Sequence, residues 1–171
     1  MTGKFLAGII VACSLIAGIA IYYLQVYYFY ETLPPQASIT LTGADGAPVE
    51  LAVTGFEGID ADSSPIRYRA CFDVALSLDE ATARLDPYQG SEPRTAPGWF
   101  TCFDAEAIGD RIEAGTARVF AVQRNLEFGI DRVIAITDDG RGYVWHEIND
   151  CGDKAYDGSP LGDDCPPREG N

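Results

Sequence analysis

An uninterrupted apolar stretch near the N-terminus stands apart from the alternating patterns in the rest of the chain. Residues 5–24 contain no charged side chain. A helix of about 20 residues rises about 30 Å, which matches the hydrocarbon core of a bilayer. The apolar character continues through residues 26–30, past the short core of a removable signal peptide. The pattern therefore predicts a permanent transmembrane anchor in residues 1–30.

Tyrosines and one lysine indicate how this anchor is oriented. Tyrosine rings favour the level of the lipid headgroups, and we expect this interfacial position for Tyr22, Tyr23, Tyr27, Tyr28 and Tyr30. Lys4 is the only charged residue in the first 30, and positively charged flanks remain in the cytoplasm. We therefore expect a single span of a bacterial inner membrane, with the N-terminus cytoplasmic and the following domain periplasmic.

Small residues recur along the predicted span at spacings of three or four. Such spacings allow a second helix to approach closely, although small residues are also common in spans that have no such role. Cys13, in the same stretch, is interpreted as a small apolar filler. The candidate helix-packing positions form two rows, Ala7, Val11, Ser14 and Gly18, and then Gly8 and Ala12.

After the anchor, alternation of apolar and polar residues predicts an antiparallel sheet. Residues 38–42 and 48–54 flank a turn and predict a hairpin, and residues 55–65 read as a loop. Further strands are predicted over residues 66–76, 99–103, 116–123, 130–137 and 142–148. The Asp-Gly turn at 139–140 indicates a hairpin between the last two. We expect the last three strands to form the centre of the sheet.

Two short helices are predicted between these strands. Ser77 and Glu80 have the spacing of a capping box and would begin a helix over residues 78–85. Asp104 can cap a second helix over residues 105–114. The fold class is therefore one N-terminal transmembrane α-helix followed by a small α+β domain, with an antiparallel sheet, two short helices and stabilising disulfides.

Composition divides the chain into four parts and gives the outer domain its charge. Two consecutive prolines end the helix and predict a connector over residues 31–37. Residues 38–165 suffice for one periplasmic domain, and residues 166–171 read as a tail. The net charge of −14 becomes −15 when Lys4 is set aside. An acidic domain repels nucleic acid and attracts basic proteins, such as a basic periplasmic electron carrier.

Four cysteines lie outside the anchor, and an even number in an oxidising compartment suggests two disulfides. Three pairings are open. We favour Cys71–Cys102, because each cysteine ends an apolar run in a similar context, and Cys151–Cys165, because these two bracket a polar loop that has no other support.

Candidate catalytic residues are scarce. His146 is the only histidine, so a site with several histidine ligands is excluded. The chain has no Gly-x-Ser-x-Gly elbow, no phosphate-binding glycine motif and no Cys-x-x-Cys. His146 lies in a predicted strand, where a hydrogen-bonded structural role is commoner than catalysis. We expect no enzymatic activity and no cofactor. An enzyme that used carboxylates alone would need a deep acidic pocket.

Two segments carry weaker candidate sites. Oxygen-rich loops can hold Ca²⁺, and the terminal loop contains Asp150, Asp153, Asp157, Asp163 and Asp164. Their spacing is not that of an EF-hand, and a solvated acidic loop is the favoured interpretation. The loop 87–100 carries Tyr88, Trp99 and Phe100 among prolines and glycines, where exposed aromatic side chains would suit partner docking. For Trp99 and Phe100 the start of a core strand is the favoured alternative.

The short N-terminus, the single span that ends in LQVYYFY, and the small acidic domain with four cysteines resemble an uncharacterised family of single-span proteins from alphaproteobacteria. The resemblance rests mainly on residues 1–35. It implies a Gram-negative inner membrane and a periplasmic domain, and it implies no activity and no site residues.

These features favour a non-catalytic accessory subunit, or assembly factor, of a larger inner-membrane complex. The span would pack on partner helices within the lipid, and the acidic domain would lie on the periplasmic surface. Respiratory or photosynthetic electron-transfer complexes are the expected hosts, because their soluble carriers are often basic. The alternative is a membrane-tethered periplasmic module that binds Ca²⁺ or a cell-envelope ligand.

Overall fold

The computed structural model describes residues 2–152, 154–159 and 165. As the sequence predicts, an N-terminal apolar helix precedes an α+β domain with an antiparallel sheet and two short helices. The helices are α1 (Thr2–Tyr23), α2 (Leu78–Arg84) and α3 (Ala105–Glu113). The strands are β1 (Glu31–Thr32), β2 (Ser38–Thr42), β3 (Pro48–Asp60), β4 (Arg69–Val74), β5 (Ala117–Glu127), β6 (Ile130–Thr137) and β7 (Arg141–Ile148).

Helix α1 continues without a break into a π-helical segment, Leu24–Tyr28. Together, Gly3–Tyr28 are long and apolar enough to cross a bilayer, with a mean hydropathy of 2.4 in the most apolar window. The side chains in this most apolar part of the segment are not buried against the part of the chain that the structure describes. A helix that is apolar around its whole circumference and has no protein cover matches a membrane span.

All strand pairs in the sheet are antiparallel, and the strand order is β1-β3-β4-β7-β6-β5. Strand β3 is long enough to pair with β2 through its first half and with β1 through its end. The predicted hairpin β2–β3 is confirmed. The last three strands form one half of the sheet rather than its centre, because β4 continues the sheet on the other side of β7.

The expected loop over residues 55–65 is wrong for its first half, which belongs to β3. A bulge between Thr54 and Glu57 absorbs Gly55, whose φ of +63° suits a residue without a Cβ atom. The strand then resumes, and its side chains Phe56 and Ile59 are buried on opposite faces of the sheet.

The chain directly after α2 joins the two ends of the curved sheet. The backbone N–H of Asp86 donates to the carbonyl of Thr42 in β2 over 3.0 Å, and the carbonyl of Asp86 accepts from Ala121 in β5 over 2.9 Å. Tyr88 then donates to Val119 of β5 over 2.9 Å. This short bridge turns the sheet into an incomplete barrel and covers the free edges of both strands.

Two apolar clusters lie on opposite faces of the sheet. The inner cluster fills the curve of the sheet beneath α2 and includes Leu41, Phe56, Phe72, Leu85, Phe120 and Ile134. The outer cluster lies beneath α3 and the long loop before it, and includes Ile59, Cys71, Phe100, Phe103, Ile108 and Trp145.

The predicted strand over residues 99–103 is wrong, because this segment forms turns. Its apolar residues Phe100 and Phe103 are buried, but they pack onto the outer face of the sheet instead of extending it. Strand β4, to which the segment is tied through Cys102, already pairs on both edges, with β3 and β7.

Both helix starts follow the sequence prediction. Ser77 and Glu80 form a reciprocal capping box at α2. The Asp104 carboxylate accepts from the backbone N–H groups of Glu106 and Ala107 at α3. Gly115, with a φ of +74°, follows the end of α3.

Candidate functional site

The end of the apolar helix is held by a tryptophan from the domain. The indole N–H of Trp99 donates to the carbonyl oxygen of Val26 over 2.6 Å. The Trp99 ring packs against Tyr27 and Tyr30, with centroid distances of 6.3 and 5.9 Å. The last carbonyls of a helix have no partner within the helix, so the indole satisfies one of them.

An arginine reinforces this contact. The Arg67 guanidinium donates to the side-chain oxygen of Gln25 and lies 5.4 Å from the centre of the Tyr30 ring. A cation near a helix C-terminus also interacts favourably with the helix dipole. We call the contacts of Trp99 and Arg67 with residues 25–30 the anchor clamp.

The connector is also fixed to the domain. Glu31 and Thr32 form β1 and pair with Asp60 and Ile59 of β3, and the backbone N–H of Leu33 donates to the carbonyl of Gly58 over 2.8 Å. The connector predicted over residues 31–37 is therefore hydrogen-bonded from its first residue. Little free chain separates the helix from the sheet.

Aromatic rings gather where the helix meets the domain. The centroid of the Tyr27 ring lies 6.2 Å from that of Tyr22 and 6.1 Å from that of Tyr23. The ring centroids of Tyr23 and Tyr28 are 6.5 Å apart. Trp99 extends this group from the domain side. In the sequence, only the position of Trp99 in a Pro- and Gly-rich loop suggested that it contacts another segment. Its partner Val26 could not be identified from the sequence, because it lies 73 residues away in the chain.

An apolar groove of about 370 Å³ lies beside the anchor clamp. Three walls form it: the connector, the end of β3, and the loop that carries Trp99. The lining residues are Thr32, Leu33, Pro35, Phe56, Glu57, Gly58, Ile59, Trp99, Phe100 and Thr101. Glu57 is the only charged residue among them.

The long loop before α3 is pinned to the sheet by a buried arginine. Arg69 is 4% exposed, and its guanidinium donates to the carbonyls of Arg94, Ile66 and Tyr68 over 2.6–2.8 Å. Burial lowers the pKa of Arg69 to about 10, which leaves the side chain charged at neutral pH. The charged side chain therefore holds the backbone of the loop against β4.

A buried glutamate holds the same loop from β7. The carboxylate of Glu147 accepts from the Arg94 guanidinium, from the backbone N–H of Glu92 over 2.9 Å and from the Trp145 indole over 3.2 Å. Glu147 is only 5% exposed. The positively charged Arg69 and the negatively charged Glu147 therefore both hold the loop on the outer face of the sheet.

Tyr88 is half-buried and packs against the outer cluster. Its hydroxyl donates to Asp131 over 3.0 Å, and Asp131 also accepts from the backbone of Asn125 and the side chain of Asn149, each over 2.7 Å. Burial and then the Asp131 carboxylate raise the pKa of Tyr88. These contacts give Tyr88 a role in the interior of the domain.

His146 is 5% exposed, and both of its ring nitrogens are engaged. Nε2 accepts from Arg132 Nε over 2.8 Å, and Nδ1 donates to the carbonyl of Pro65. The ring stacks on Tyr68 at 5.0 Å. Burial lowers the pKa of His146 to about 4. A polar cavity lined by Asp60 and Glu127 adjoins the His146 ring. The neutral imidazole has both nitrogens in hydrogen bonds, so neither nitrogen is free to exchange a proton with a group in that cavity.

The buried histidine predicts a loss of stability in mild acid. The unfolded chain has an ordinary histidine pKa of about 6.5, so below that pH it binds a proton that the folded chain excludes until about pH 4. From pH 7 to pH 5 we expect the free energy of unfolding to fall by about 2 kcal/mol from this group. Urea denaturation of the full chain in detergent micelles measures it.

The His146→Gln variant is the matched comparison, because it has no imidazole to titrate. We expect it to be less stable than the parent at pH 7 and to show a smaller change between pH 7 and pH 5. Equal pH dependence in both proteins would contradict this explanation.

The structure pairs Cys71 with Cys102 and Cys151 with Cys165, the pairs that the sequence favours. The first bridge ties β4 to the turn that follows Trp99, with a Cα–Cα distance of 6.2 Å. The second closes the C-terminal loop, with a Cα–Cα distance of 5.5 Å. The free Cys13 is exposed on α1.

The structure describes two of the five candidate calcium residues, Asp150 and Asp157. Asp153, Asp163 and Asp164 lie outside the described residues. Asp157 accepts from the backbone N–H and hydroxyl of Ser159, over 3.0 and 2.6 Å. Within residues 2–152, 154–159 and 165, no group of three or more metal-ligating side chains occurs.

The two rows of small residues on α1 are exposed. The hydroxyl of Ser14 donates to the carbonyl of Ile10 over 2.8 Å, so its polar group is satisfied within the helix and does not require a lipid-facing partner. The helix surface is therefore free for contact with lipid or with another helix.

Comparison with known proteins places the domain in a family. Residues 39–166 match a family of unknown function, DUF6446. The matched region begins in β2, after the segment 1–35 on which the sequence resemblance rested. No curated protein and no solved structure matches the chain. Because the match covers most of the chain, the protein belongs to the DUF6446 family of unknown function.

Proposed function

We propose that this protein is a non-catalytic accessory subunit, or assembly factor, of a larger membrane complex. The anchor clamp is the observation that carries the proposal. A module that captures ligands at a distance is served by a long flexible linker. Here the paired connector and the Trp99–Val26 hydrogen bond hold the domain at one position on the end of its helix. Such fixation suits a domain with fixed neighbours.

The helix supplies the second part of the argument. Its small-residue rows are open, and packing between small residues drives association of helices in lipid. We therefore assign the row that contains Ser14 and Gly18 to contact with a partner helix.

The domain supplies the third part. A membrane-anchored helix followed by a disulfide-bonded domain supports an extracytoplasmic location, and we place the domain in the periplasm of a bacterial inner membrane. A charge of about −15 favours basic neighbours. This supports a host that works with a basic soluble carrier, as respiratory and photosynthetic electron-transfer complexes do.

Replacing Gly18 with leucine is expected to reduce recovery of the partner complex. The tagged full chain would be extracted from native membranes in mild detergent, and the associated complex measured by native electrophoresis and mass spectrometry. Leucine would block close approach of a helix at this row. The expected result is a several-fold loss of co-purifying subunits, with an unchanged amount of the tagged protein in the membrane.

Ala20→Leu is the matched control. At roughly 100° per residue, position 20 lies about 200° from position 18 and faces the other side of the helix. We expect this variant to retain the complex. If the wild-type chain migrates alone in mild detergent, or if both leucine variants behave alike, the proposal is wrong.

A further inference from the structure

We propose that the apolar groove beside the anchor clamp binds an acyl chain of a membrane phospholipid with an amine-bearing headgroup. The first observation is the position of the groove. Trp99 forms one of its walls and also bonds to Val26 at the end of the membrane helix. The groove therefore begins at the level where the helix leaves the lipid. Bilayer lipids are the most concentrated apolar molecules at that level.

The second observation is the lining. Leu33 and Pro35 from the connector, Phe56 and Ile59 from β3, and Phe100 from the loop make the lining more apolar than polar. Thr32, Glu57 and Thr101 add polar groups to it. The Phe56 ring packs directly on the backbone of Gly58, where a Cβ atom would lie 2.8 Å from that ring. A volume of about 370 Å³ falls within the range of about 300–1,000 Å³ for small-molecule sites. A flexible hydrocarbon chain fits such a groove.

The third observation is the charge at the groove. Glu57 is exposed and is the one charged side chain among the described residues that line the groove. Its negative charge attracts an ammonium group and repels an anionic headgroup. Phosphatidylethanolamine meets both requirements, since it has an acyl chain for the apolar walls and a primary amine for Glu57. Phosphatidylglycerol meets only the first.

The test uses the full chain in nanodiscs that contain phosphatidylethanolamine with a photoactivatable diazirine in its acyl chain. After irradiation, reduction and trypsin digestion, labelled peptides are identified by mass spectrometry. Arg94 and Arg111 bound the peptide 95–111, which contains Trp99, Phe100 and Thr101 but no part of α1. We expect label on this peptide in addition to the label on the membrane helix.

Two variants fill the groove from different walls. Thr101→Trp and Pro35→Trp are each expected to reduce label on peptide 95–111 several-fold. Thr40→Trp, at an exposed position of β2 outside the groove, is the matched control and should leave the label unchanged. Absence of label on the wild-type peptide, or equal label in all variants, would overturn the proposal. Capture of a protein by this peptide without lipid label would also overturn it.

The headgroup is tested with a phosphatidylglycerol probe that carries the same diazirine chain. The wild-type peptide should be labelled more strongly by the phosphatidylethanolamine probe, and Glu57→Gln should remove the difference. Stronger labelling by phosphatidylglycerol in the wild type would reject the assignment of the headgroup. These experiments do not need the partner complex, so their outcome is independent of the proposed accessory role.

Discussion

Replacing Glu147 with alanine is expected to destabilise the domain by about 2–3 kcal/mol, because a buried donor that loses its acceptor costs about 1–3 kcal/mol. The Arg94 side chain is 34% exposed, so water can hydrate it in the variant. Glu147 is 5% exposed and accepts hydrogen bonds from Glu92, Arg94 and Trp145. Alanine would leave these donors without their acceptor, and the Trp145 indole is fully buried. Urea denaturation of the full chain in detergent micelles would measure the loss.

Two further variants separate the buried contact from a general effect of charge. Glu127→Ala removes an exposed carboxylate from β5 and should change stability by no more than about 0.5 kcal/mol. Glu147→Gln keeps one acceptor oxygen, so its loss should be smaller than that of Glu147→Ala. Because Glu147 holds Arg94, we also expect faster trypsin cleavage after Arg94 in Glu147→Ala. A loss below about 1 kcal/mol would contradict the assigned role of this carboxylate.

Elements that depend on neighbouring residues could be predicted from the sequence. The capping box needs only Ser77 and Glu80, three positions apart, and the structure contains it. The β2–β3 hairpin depends on a turn between two alternating segments. Both arise from interactions within a few residues, which a single sequence displays directly.

Elements that depend on distant partners could not be predicted in the same way. The apolar run 99–103 has the composition of a strand, but β4 already pairs on both edges. Its aromatic side chains are therefore buried on a face of the sheet. The strand bulge at Gly55 was likewise hidden, since a glycine in a polar run also indicates a loop.

The anchor clamp also depends on residues that are distant in the chain, so the sequence did not predict it. The tyrosines at the end of the span predicted a membrane boundary from composition alone. Nothing in the local sequence linked Trp99 to Val26, because that contact depends on how the loop is fixed to the outer face of the sheet. The loop is fixed by Arg69 and Cys71 of β4 and by Glu147 of β7, whose partners in or next to the loop are 25 or more residues away in the chain.

Removal of the Cys71–Cys102 bridge by the double variant Cys71→Ala, Cys102→Ala is expected to cost about 3.5 kcal/mol. The bridge closes a loop with a sequence separation of 31, and the entropy of an open loop in the unfolded chain gives a cost of this size. The Cys151→Ala, Cys165→Ala variant opens a separation of 14 and should cost about 3 kcal/mol. Stability alone therefore distinguishes the two bridges poorly.

The position of Trp99 relative to the lipid headgroups should distinguish the two disulfide variants clearly. The first bridge holds the turn that carries Trp99, whereas the second closes a loop at the other end of the chain. Trp145, the only other tryptophan, is fully buried, so quenching of fluorescence by headgroup-labelled spin lipids reports mainly on Trp99. We expect quenching to fall when Cys71 and Cys102 are replaced and to persist when Cys151 and Cys165 are replaced. Equal quenching in both variants would show that the clamp does not depend on the disulfide. The fixed position of the domain would then have to come from the paired connector and Arg67.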